Sequence, residues 1–112
     1  MQLSSKKLLH DMLEAARGVR AIVAERSSTE FSADRNLRWS VERGCEIIGE
    51  ALSQLRKSDP QTAESLTDWR RIIGFRNVLV HGYAILDSVR TWEIAAHDVP
   101  NLIAELESAL VD

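Results

Sequence analysis

Apolar residues return every three or four positions through almost the whole chain, and this period decides the fold class. Leu9, Met12, Leu13, Ala16, Val19 and Val23 form one such run. Leu37, Val41, Cys45, Ile48, Leu52 and Leu55 form a second. That spacing lines one face of an α-helix and cannot line one face of a strand, whose side chains alternate. The chain has 5 Gly and 2 Pro in 112 residues. A multi-stranded β fold would need turn residues far more often. The sequence therefore predicts an all-α fold, an antiparallel bundle of four to five helices in a single domain over residues 1–112.

The expected helices follow from the stripes and their caps. The first spans about 5–25, with Ser4 or Ser5 as N-cap. Arg26 to Glu30 reads as a polar break. Ser32 or Asp34 caps a second helix that ends near Lys57, before Ser58-Asp59-Pro60. Residues 60–66 read as a short helical turn. Thr67 or Asp68 caps the next helix, whose inward stripe is Trp69, Ile72, Ile73, Arg76 and Val80, with Gly82 as its C-cap. Asp87 or Ser88 caps another helix reaching Asp98. Pro100 opens the last one, which carries Leu102, Ile103, Leu106, Ala109 and Leu110.

Several classes of protein are excluded. Cys45 is the lone cysteine, so neither an intrachain disulfide nor a thiolate zinc site can form. No apolar run reaches the ~18 residues of a membrane span, and the first residues do not resemble a secretory signal, so a cytoplasmic setting is expected. His10 and His97 lack companions at metal-ligand spacing, and no metal or other cofactor is expected. The net charge of −3 argues against a bulk basic nucleic-acid binder. It hides an uneven distribution, however. Residues 68–83 carry Arg70, Arg71 and Arg76 against Asp68, whereas residues 84–112 carry Arg90 against six acids. A local cationic patch of this kind can engage phosphate.

Gly74 to Tyr83 is the most informative segment. It reads Arg76-x4-His81-x-Tyr83 at the end of an apolar helix, with Asn77 beside the arginine. An arginine fork fits phosphate. An imidazole moves protons near neutral pH. The pair suits RNA cleavage without a metal: His81 as general base or acid for the 2′-hydroxyl, Arg76 for the charge that develops on the phosphorane. The same residues also have a purely structural reading, an arginine in a surface ion pair and a histidine closing a helix end. On one continuous helix, positions five apart diverge by ~140°. A compact site thus needs either an unwound helix at His81-Gly82 or two copies meeting on a two-fold axis.

Taken together, four ordered stretches resemble the HepT-like toxins of the HEPN superfamily. They are Phe31 to Arg35, Glu46-Ile47-Ile48-Gly49-Glu50-Ala51, Trp69 through the Arg76-x4-His81-x-Tyr83 signature, and Asp98-Val99-Pro100. Gly82 departs from the pattern, since members often carry a larger residue there. The resemblance implies a helical dimer with paired signatures in a central cleft. It implies a metal-independent ribonuclease toxin acting on RNA, with tRNA as a candidate target. It also implies an MntA-like nucleotidyltransferase antitoxin as partner, which places AMP on Tyr83. Arg76 and His81 then take the catalytic roles, with Asn77 supporting. Glu46 and Glu50, one turn apart, are further candidates to orient Arg76 or His81, or else form a solvated acidic face to which Arg43 pairs. Arg70 and Arg71 are candidate RNA contacts, with Trp69 beside them. A different class stays open: a non-enzymatic helical dimer that binds a nucleotide or a nucleotidyltransferase partner.

Overall fold

In the computed structural model, which describes residues 1–81 and 87–111, the chain is helical throughout, with no strand among the described residues. The elements are α1 (Leu3–Val23), α2 (Ser28–Ala33), α3 (Arg35–Ser58), α4 (Pro60–Glu64), α5 (Trp69–His81), α6 (Ser88–Glu93), a π-helical turn (Ile94–Asp98) and α7 (Val99–Ala109). The central helix α3 packs against α1 on one side and α5 on the other, and α7 lies along α1. The two predicted stripes on α1 and α3 are all buried, and with Phe31, Phe75, Leu102 and Leu106 they form the core.

Local chemistry explains where the boundaries differ from the expectation. Ser5 is not a cap. It is fully buried inside α1 and donates its hydroxyl to Asp59 Oδ2 at 2.8 Å. That carboxylate also accepts from Thr62 and caps α4, so Ser5 and Asp59 pin the start of the chain to the α3/α4 corner. The presumed break at residues 26–30 begins α2 instead. Ser27 and Glu30 form a reciprocal capping box, with bonds of 3.1 and 3.0 Å, and Phe31 anchors the short helix in the core. Asp34, not Ser32, caps α3 through Leu37 N–H at 3.1 Å. Helix α1 stops two residues short of Glu25, which adopts a left-handed conformation at φ 63°.

Around Asp98-Val99-Pro100 the chain does not break. The helix widens by one residue, so that Val99 N–H reaches back to Ile94 O. This π-turn brings the chain to Pro100 in the first turn of α7, where its missing donor is harmless. Helix α6 starts on Asp87, whose carboxylate accepts from Val89 N–H at 2.9 Å.

Candidate active site on helix α5

Helix α5 begins where the Asp68 carbonyl accepts from Ile72 N–H at 3.0 Å. Thr67 instead ties its N–H and hydroxyl to Glu105 of α7, the hydroxyl at 2.7 Å. The inward residues of α5 are Ile72 and Phe75. Of the predicted stripe, Trp69, Ile73 and Arg76 are half-buried and Val80 is 49% exposed. Val80 and, in part, Val78 and Leu79 near the end of this apolar helix are left uncovered by the described residues.

Arg76 lies in a cradle supplied by α3. A Cβ at Gly49 would sit 2.2 Å from Arg76 Cβ and 2.7 Å from its Cγ, so the arginine stem runs directly over the glycine. One guanidinium nitrogen donates to Glu50 Oε2, and the other to Asn77 Oδ1 at 3.1 Å. Its Nε is buried and finds no acceptor among the described residues. Glu50 also accepts from Gln54 at 3.2 Å. That bond, and next the Arg76 charge, hold the Glu50 carboxyl below the ordinary carboxylate value. The carboxylate therefore stays ionised and orients the fork.

The remaining candidates fall into separate places. Glu46 pairs with Arg43 at 3.1 Å on the exposed flank of α3 and is not joined to Arg76. Arg71 binds the nearly buried Asp98 of the π-turn through two bonds, 2.8 and 3.4 Å, and ties α5 to that turn. Hydrogen bonding to Asp98 and its charge raise the Arg71 pKa. Arg70 lies over the Trp69 ring, 4.6 Å from its centroid. His81 is the last residue of α5 and is exposed. Because α5 stays helical through His81, the five-residue offset keeps Arg76 and His81 on diverging faces of one chain. Gly82 and Tyr83 lie outside the described residues. Among the described residues no cluster of three or more His, Cys, Asp or Glu is arranged to hold a metal, and no helix is long and apolar enough to cross a membrane.

The sequence reading missed three contributors. Gly49 had a signal: a glycine inside a 24-residue helix costs about 1 kcal/mol and so points to close packing. Asp98 reads in the sequence only as a helix end and as part of the fourth resembling stretch, with nothing to mark it as the partner of Arg71. Arg56, distant in sequence, packs over Trp69 at 4.3 Å, and nothing local announces it.

Comparison with known proteins identifies the family of the chain. The family model described as "Ribonuclease HepT-like" matches residues 12–109. "Putative RNase MJ1380" of Methanocaldococcus jannaschii is 34% identical over 102 residues, which cover 91% of this chain and 93% of the relative. "Probable ribonuclease HepT" of Thermococcus cleftensis is 29% identical over 107 residues, 96% of each chain. No solved structure matches the chain significantly.

Proposed function

The chain belongs to the HepT-like ribonuclease family of the HEPN superfamily, and on that premise we propose that it is the cytoplasmic toxin of a toxin–antitoxin pair, a metal-independent ribonuclease with tRNA as its target. The observation that carries this reading is the cradle of Arg76. Its stem is seated on Gly49 and two of its nitrogens are fixed by Glu50 and Asn77. An arginine held in this way is pre-organised for an anion, so little reorganisation is needed as charge develops on phosphorus.

The reaction is attack of a ribose 2′-hydroxyl on the adjacent phosphate. His81 takes the hydroxyl proton, and the new P–O bond closes a cyclic phosphate. The P–O5′ bond breaks, and the departing oxygen takes a proton from the second copy's His81. Arg76 balances the added negative charge of the phosphorane. Two copies are required because one straight α5 cannot bring both groups to one point. The exposed Val80, with Val78 and Leu79 only partly covered beside it, supports pairing through the end of this helix, and a homodimer is part of the proposal.

Regulation falls to Tyr83. An MntA-like nucleotidyltransferase would move AMP from ATP to its phenolic oxygen and release pyrophosphate. The new phosphodiester would compete for Arg76 and obstruct the cleft. Incubating the purified protein with total tRNA in EDTA tests the enzyme. Products that vanish in His81→Ala support it, and binding without products favours the non-enzymatic module. Mass spectrometry after co-expression with such an antitoxin should find AMP additions that Tyr83→Phe removes.

A further inference from the structure

Helices α3 and α5 run antiparallel, and their seam has two stations. One is Gly49 and Glu50 against Arg76. The other is Arg56 against Trp69. Glu50 to Arg56 is six residues on α3, and Trp69 to Arg76 is seven on α5, so the stations lie about 10 Å apart along the helices. Beside Arg56, a groove of about 250 Å³ is lined by Ser53, Arg56, Lys57, Pro60, Glu64 and Ile73.

The second station is cationic and aromatic at once. Arg56 and Arg70, from different helices, both place their guanidinium carbons over the Trp69 indole, at 4.3 and 4.6 Å. Lys57, which lines the groove beside Arg56, adds a third cation. The acid within reach is Glu64, whose contact with Arg56 is long, 3.4 Å, with both side chains nearly half-exposed. An ion pair of that kind is worth little and exchanges readily for a stronger anion. Arg71, the neighbouring arginine, is turned instead to Asp98 of the π-turn.

We infer that this end of the α3/α5 seam is a substrate subsite, which takes the phosphate and base of single-stranded RNA next to the bond cut at Arg76. The inference rests on the ribonuclease reading for the identity of its ligand. A phosphate between Arg56 and Arg70 meets two planar forks already held by the indole. The flanking base stacks against the guanidinium and indole planes, a mode open to any base sequence. A duplex offers no such unstacked base, so single strands are the preferred class.

The test measures binding of a short fluorescein-labelled single-stranded oligoribonucleotide to the full chain carrying His81→Ala, which prevents cutting. Adding Arg56→Ala and Arg70→Ala should weaken binding about tenfold or more. It should also lower the slope of log affinity against log salt by ~0.7 for each phosphate that is no longer neutralised. Trp69→Leu should weaken binding about tenfold with the slope kept. The charge-keeping pair Arg56→Lys and Arg70→Lys should restore the slope but not the full affinity. It also keeps the question answerable if circular dichroism shows the alanine pair unfolded. Unchanged affinity and slope in these variants, or tighter binding of a duplex of the same sequence, would overturn the subsite. Cleavage that persists in His81→Ala would instead overturn the ribonuclease mechanism, and the binding comparison would still stand.

Discussion

Gly49→Ala probes the cradle of Arg76 with a single methyl group. The added Cβ would lie 2.2 Å from Arg76 Cβ and 2.7 Å from its Cγ, where carbons settle at ~3.5–4.0 Å. The partner atoms belong to the root of the side chain, so a rotamer change cannot clear them. Helix α5 must retreat by about 1 Å at Arg76. Such overpacking costs ~1–3 kcal/mol. Alanine returns ~0.8–1.0 kcal/mol of helix propensity. The net loss of stability is thus about 0–2 kcal/mol, small enough for the variant to remain folded. Catalysis is far more sensitive, because a displacement of 1 Å costs on the order of 10²-fold. The expected outcome is a kcat/KM for RNA cleavage about 10²-fold lower in a protein whose urea midpoint moves modestly. Gly18→Ala is the control. It is exposed on α1 with nothing within 4 Å of the new Cβ, and it should gain ~0.8–1.0 kcal/mol with activity unchanged. Wild-type kcat/KM in Gly49→Ala would show that the cradle does not position Arg76 for catalysis. So would an activity loss that merely tracked the unfolded fraction.

Other expectations follow from particular residues. Glu25→Gly should raise stability by about 1 kcal/mol in denaturant titration, because a side chain at φ 63° is strained and glycine is not. Asp59 is held below its ordinary value of 3.8 by bonds from Thr62 and Ser5. A carboxyl with a depressed folded pKa lends stability that is present above its unfolded value and lost as pH falls through the folded one. Asp59→Asn should accordingly flatten the acid limb of a thermal-midpoint profile, where pH falls below the ordinary value of 3.8. Burial, with Glu42 and Asp98 adding to it, pushes the Cys45 thiol up to about 12. The native protein should resist iodoacetamide at neutral pH and label fully in guanidinium, as read by mass spectrometry.

Much of the fold was legible in the sequence, because helical periodicity and Asp or Ser caps are local signals. The buried stripes of α1 and α3 and the caps Asp34 and Asp87 appear where the pattern puts them. What local pattern could not convey is partnership across the chain. Ser5 resembles a cap until Asp59, 54 residues away, claims its hydroxyl. The stretch 26–30 reads as polar because its apolar anchor, Phe31, stands one residue beyond, against Trp92 at 5.5 Å between ring centroids. Pro100 signals a break that the π-turn absorbs. At the candidate site, the signature drew attention to Arg76, Asn77 and His81. Their relation to α3 was only half legible. Glu50 reaches Arg76 whereas Glu46, one turn earlier, turns to Arg43, and the choice depends on where α5 crosses. Arg71 shows the same dependence. It belongs by sequence to a cationic run, and by structure to Asp98.

The decisive measurement is the rate of RNA cleavage in EDTA by the wild type, Arg76→Lys and Arg76→Ala, with each variant shown to be folded. Lysine keeps the charge but loses the fork that Glu50 and Asn77 hold in place. A pre-organised arginine predicts robust cleavage by the wild type without metal, a loss of about 10²-fold or more in Arg76→Lys, and no detectable products from Arg76→Ala. Cleavage by Arg76→Ala at the wild-type rate, or wild-type activity that EDTA abolishes and a divalent cation restores, would contradict it.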